Sequence, residues 1–145
     1  MIHLEKYKSP NELHRIHFIL EGEIRFGPPY YKIAIDDYII PERIFGLEWK
    51  WHSMSTFLAL QEWLTIDYKK GPITALTLID LNDKKIAKIS IAEKGFIKPI
   101  NFENNIIIYK KEYFQYKGKI ENEYEINIKE IKNWAPYNLI DPHCT

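Results

Sequence analysis

Residues 73–91 read Ile73-Thr74-Ala75-Leu76-Thr77-Leu78-Ile79-Asp80-Leu81, then Asn82-Asp83-Lys84, then Lys85-Ile86-Ala87-Lys88-Ile89-Ser90-Ile91. Two runs rich in Ile, Leu and Thr, separated by a short polar connection, predict a β-hairpin, because β-branched residues suit the pleated surface and Asn-Asp suits the turn. Working outward, the period-2 pattern dominates from about residue 23, and no convincing 3.6-residue stripe competes with it. Glu23-Ile24-Arg25-Phe26 stops at Gly27-Pro28-Pro29. Tyr31-Lys32-Ile33-Ala34-Ile35 then runs into Asp36-Asp37, a tight-turn pair, with Tyr38-Ile39-Ile40 as the return strand. Pro41 limits that return to an edge or an end, and Ile44-Phe45, Leu47, Trp49 and Trp51 alternate beyond it.

Thr56 to Leu64 is apolar on both faces and reads as a buried strand, followed by a polar loop from Thr65 to Pro72. Further strands are expected at Ile106 to Tyr109, at Tyr113 to Tyr116 and at Glu123 to Lys129, where Tyr124, Ile126 and Ile128 share one face. At most a short helix is expected, at either end. Ser9-Pro10-Asn11-Glu12 resembles a helix start, with a strand at Ile16 to Leu20 as the competing reading, and the tail around Ile131 to Trp134 is the other candidate. The expected fold is mainly β: one domain over residues 1–145, built as an antiparallel meander, a sandwich or a partly open barrel.

The chain has 145 residues, 20 Lys+Arg against 20 Asp+Glu, 46% hydrophobic residues and one cysteine. That length buries a core unaided, and one cysteine makes no internal bridge. Zero net charge argues against a nucleic-acid or anionic-membrane partner. The first residues carry charges where a secretory leader needs an unbroken apolar stretch, so a cytoplasmic location is expected. Ile-rich, Arg-poor usage reads as an AT-rich, bacterial genome.

No motif announces chemistry. His14 and His17 are spaced HxxH, but no third metal ligand follows at a suitable spacing. His143-Cys144 sits at the terminus, and Ser53 and Ser55 beside His52 lack the GxSxG elbow. The six glycines stand singly, so there is no phosphate-binding loop. No cofactor, no metal and no catalytic residue is therefore expected.

What stands out is the aromatic density between Tyr30 and Tyr68, which holds Trp49, Trp51 and Trp63 among mixed charges. Trp and Tyr are enriched at interfaces, so this region is the expected contact face. Its candidate residues are Asp36, Asp37, Tyr38, Glu42, Trp63, Asp67 and Tyr68, with Tyr38, Trp63 and Tyr68 as anchors.

Two resemblances follow. Trp51 to Leu60, with Ile79-Asp80-Leu81 and Lys84-Lys85, resembles one β-propeller blade. There is no second copy, and a propeller needs at least four blades, so what remains is support for a meander. Gly27-Pro28-Pro29-Tyr30-Tyr31, Leu58 to Trp63, Gly71-Pro72-Ile73-Thr74 and Ile79-Asp80-Leu81 resemble small bacterial immunity proteins encoded beside secreted toxins. That resemblance implies a non-enzymatic domain, a monomer or small homo-oligomer, whose partner is a protein toxin bound and occluded. The alternatives from other classes are a ligand-binding β-barrel or enzyme using a carboxylate near His52, and an assembly subunit pairing through the edge segment Glu123 to Lys129.

Overall fold

The computed structural model describes residues 3–24, 27–54, 56–67, 69 and 71–140. The hairpin at 73–91 forms the middle of the molecule. β7 (Ile73–Asp80) and β8 (Lys85–Glu93) pair antiparallel, and the Asp80 carboxylate closes their turn by accepting from the Asn82 and Asp83 amides at 3.0 and 3.1 Å. Outward from it run β6 (Phe57–Trp63), β5 (Ile44–Trp51), β3 (Pro29–Ile35), β2 (Arg15–Glu23) and β1 (His3–Lys8), each antiparallel to its neighbour. The two-residue strand β4 (Tyr38–Ile39) returns along β3, and β12 (Ala135–Pro136) adds to β8. A second sheet holds β9 (Gly95–Glu103), β10 (Ile106–Gln115) and β11 (Gly118–Asn127), with β10 in the middle.

Alternation along the central strands serves two cores. In β6, Leu58 and Leu60 face one side with Phe18, Ile33, Phe45 and Ile79, while Ala59 faces the other with Leu76, Leu78 and Ile97. The first core gathers buried residues from β2, β3, β5, β6, β7 and β8 of the large sheet. The segment after β12 lies over this core, with Tyr137 and Leu139 packed on it and Ile140 bridged to Ile39, which leaves an open sheet partly closed by its own tail. Burial, and then the charges of Asp80 and Asp36, push the Tyr137 hydroxyl up to about 12.

The second core is made where the chain turns a corner. Only Lys94, at a positive φ of 59°, separates β8 from β9, and β9 then runs across β5, β6, β7 and β8. A strand that bends sharply and joins another sheet is how orthogonal β packings form. The inner edge of β9 is buried against the large sheet, so its peptide groups need partners that no strand supplies. Two side chains stand in. Thr74 Oγ1 donates to the Gly95 carbonyl at 3.0 Å and accepts from the Ile97 amide at 2.9 Å, and Gln61 Nε2 donates to the Ile97 carbonyl at 2.9 Å.

Gly95 itself is required by space. An added Cβ would lie 2.7 Å from the Glu112 carbonyl oxygen and from the Tyr113 ring, and backbone cannot move aside as a side-chain tip can. Gly95→Ala is expected to destabilise the fold by about 1–3 kcal/mol, read as a lower urea midpoint at unchanged slope.

Helix is as scarce as expected, and neither candidate segment forms an α-helix. Ser9 to Glu12 is instead the connection between β1 and β2. The Ser9 hydroxyl accepts from the His14 amide at 3.1 Å and the Asn11 side chain from the Leu13 amide at 3.0 Å, so the residue types that cap helices here close a turn. The strand reading of 16–20 is the correct one, inside β2. At the other end only a three-residue 3-10 turn, Ile128–Glu130, is present, and residues 131–134 are irregular because Ile131 and Trp134 turn onto the second core. The segments at 106–109 and 113–116 merge into one strand, β10, which ends at Gln115, and β9 was not anticipated at all.

Candidate functional site

The six candidate residues among those described do not all converge. Asp36 and Asp37 occupy the two-residue turn between β3 and β4, both at positive φ (50° and 72°), a conformation that normally favours Asn or Gly. Tertiary contacts hold it. The Asp36 carboxylate accepts from the Arg15 amide and meets His14 Nδ1, both at 2.8 Å, and Asp37 pairs with the Arg15 guanidinium at 3.2 Å. Tyr38 beside them is exposed.

Glu42 and Trp63 lie apart from them, lining one cleft with Lys32 and Arg43 where Ile44 faces Trp63 and Phe45 faces Glu62. Asp67 is committed to its own loop, where its amide bonds Thr65 Oγ1 at 3.0 Å and its carboxylate accepts from the Lys69 amide at 2.9 Å. Tyr68 lies outside the described residues, as do Ser55 and the His143-Cys144 pair.

Trp63 is 3% exposed, so it is not a protruding anchor. It forms instead the floor of a cleft of about 400 Å³ between β5 and β6 of the large sheet and β9 and β10 of the small one. Gly46 in β5 makes this cleft possible, since any Cβ there would run into the Gln61 amide and the Trp63 indole. From Trp63 an aromatic ladder climbs outward. Its ring meets Phe96 edge-on at 5.6 Å, and Phe96 meets Phe114 the same way at 5.7 Å, so the series passes from buried indole to a phenyl ring 64% exposed.

One wall of the cleft is charged. Lys98 Nζ lies 3.7 Å from Glu48 and 2.8 Å from Glu112 Oε1, a close ion pair. Glu112 is 2% exposed and also faces Lys119 at 3.0 Å and Lys110 at 3.6 Å. Burial alone would raise its carboxyl, but the short contacts from Lys98 and Lys119 and the charges of Lys98 and Lys110 outweigh it and hold the group at about 2. For Lys98 burial acts downward and the two glutamates overcome it, so its ammonium is held above the ordinary lysine value. The wall is therefore a fixed, internally neutralised charge network beside an apolar floor.

A second, more polar cleft of about 590 Å³ lies on the other side of Trp63 and includes Lys32, Glu42 and Arg43. Buried Glu62 is its deepest charge, accepting from Thr77 Oγ1 at 2.7 Å and from Arg43 at 2.9 Å. His52 is held between turns: its Nε2 lies 2.8 Å from the Asn104 carbonyl, while Nδ1 accepts from the Met54 amide, which assigns the ring proton to Nε2. Among the described residues no three His, Cys, Asp or Glu side chains gather as a metal site, and no helix is long and apolar enough to cross a membrane.

Phe96, Lys98, Glu112 and Phe114 were missed by sequence reasoning. The alternation of Phe96 and Lys98 with Ile97 was the available signal, and Pro99 disguised it, because proline inside a run argues against a central strand. Here Pro99 sits where the β9–β10 register shifts, opposite Tyr109. Compared with protein-family models, curated proteins and solved structures, the chain matches none.

Proposed function

We propose that this chain is a non-enzymatic binding protein that captures another protein by seating an apolar side chain of that partner in the Trp63–Phe96–Phe114 cleft. The observation that carries this reading is the aromatic ladder itself, which ends in a largely exposed Phe114 beside a fixed Lys98–Glu112 pair. A buried aromatic floor with a charged rim is the composition of an interface hot spot: the floor supplies energy and the rim sets orientation and association rate. In its fuller form the partner is a bacterial toxin, neutralised by occlusion in the cytoplasm. Support for that form is the likeness of the stretches around Gly27, Leu58 and Gly71 to immunity proteins.

The test is co-expression with the product of the adjacent open reading frame, scored for growth and for a purified complex. Rescue together with a stable complex is the expected result, and a harmless neighbour that does not bind overturns the toxin reading. Phe114→Ala then tests the cleft. Loss of a hot-spot aromatic is expected to weaken the complex by roughly 2 kcal/mol, about 30-fold in Kd, while an exposed position changes folding stability by less than about 1 kcal/mol. Equal affinity of variant and parent would remove the cleft from the interface.

A further inference from the structure

The two outer strands of the small sheet are treated differently. β9 has its inner edge satisfied by Thr74 and Gln61, whereas β11 pairs only with β10 and ends the sheet. Residues 118–125 of β11 are exposed on both faces, and alternate peptide groups along its ten residues point outward with no strand beside them among the described residues. Such an edge is a template for another strand.

Its side chains define which strand fits. The register places Lys119, Glu121, Glu123 and Glu125 on one face, opposite Phe114, Glu112, Lys110 and Ile108, and places Ile120 and Tyr124 on the other, opposite Tyr113 and Tyr109. Glu121 is engaged by Lys119 and Lys110, while Glu123 and Glu125 make no ion pair among the described residues. On the second face Tyr124 stacks on Tyr109 at 5.5 Å and lies under the Lys111 ammonium, and Ile120 and Tyr124 are both exposed. A second copy of this chain paired antiparallel along the whole of β11, centred on Glu123, would set Glu123 against itself and Glu121 against Glu125 on the same face, while Lys119 is already held by Glu112 and Glu121, and like charges directly opposite are destabilising. The same row favours a strand of opposite charge.

We infer that β11 is a docking edge that receives an extended segment of a different protein, with Lys or Arg at the positions facing Glu121, Glu123 and Glu125 and apolar residues at the intervening positions beside Ile120 and Tyr124. Main-chain hydrogen bonds along the edge give the affinity, and the alternating charge gives the choice of partner. This inference does not rest on the cleft, which lies on β5, β6, β9 and the Phe114 end of β10.

The test uses the full chain and two ten-residue peptides, one alternating Lys with Val or Thr and the other alternating Glu with the same residues. Amide hydrogen exchange and titration calorimetry are read together. The basic peptide is expected to bind and to slow exchange at alternate amides between residues 118 and 127, and the acidic peptide to do neither. The double variant Glu123→Lys/Glu125→Lys, at exposed positions, is expected to weaken the basic peptide about tenfold and to strengthen the acidic one. A basic peptide that leaves β11 exchange unchanged, equal binding of both peptides, or protection of β11 by self-association in the free chain overturns the inference.

Discussion

Thr74→Val is expected to destabilise the protein by about 4 kcal/mol, far more than its near-equal volume suggests. Thr74 is fully buried, and its hydroxyl does for β9 what a neighbouring strand would do, donating to the Gly95 carbonyl and accepting from the Ile97 amide. Valine fills the space and satisfies neither, so two buried backbone groups lose their partners, at about 1–3 kcal/mol each. Thr74→Ser separates the two contributions. It keeps the hydroxyl and loses one methyl, and should cost about 1 kcal/mol. Urea unfolding of the three proteins is the measurement, and a valine variant no less stable than the serine variant would show that the hydroxyl is not what secures β9. Because β9 carries Phe96 and Lys98, the valine variant should also disturb the cleft and change the fluorescence of Trp63, which Phe96 touches.

How far the sequence predicts this arrangement depends on whether the signal is local. The hairpin of β7 and β8 and the doubly apolar β6 are legible because each strand's own residues reveal its burial. The tight turn at Asp36-Asp37 is legible for the same reason. Ser9-Pro10-Asn11 misleads because a helix cap and a β-connection use the same side-chain acceptors for the same unsatisfied amides. The cleft is not legible, since it depends on register across sheets. Phe96 and Phe114 are eighteen positions apart and meet because Phe96 faces Glu112 across the β9–β10 ladder, while Trp63 joins them only because the chain turns the corner at Lys94. Aromatic density between residues 30 and 68 does include Trp63, but as the buried floor, and the exposed end of the ladder lies some fifty residues further on.

Glu112→Gln is the second large effect, and it should appear both at neutral pH and in the acid limb. The carboxylate is surrounded by the ammonium groups of Lys98, Lys119 and Lys110, and the neutral amide leaves those three charges close together with only the more exposed Glu48 and Glu121 to balance them. The folded state holds the group at about 2 against an ordinary 4.5, and a lowered folded value means that the native state binds its proton less readily than the unfolded chain. The stabilisation is thus complete above about pH 4.5 and is lost as pH falls toward 2, amounting to about 3 kcal/mol from the size of the shift. The parent protein should lose stability steeply across that window. The glutamine variant should start about 3 kcal/mol lower at pH 7 and fall less across it, so that the two curves converge near pH 2. Exposed Glu121 titrates in both proteins, and in the variant it is freed of the Glu112 charge that raises it. Parallel curves between pH 4.5 and 2 would mean that Glu112 is not the buried charge that the lysines hold, and that the wall of the cleft is set by packing of Phe96 and Phe114 alone.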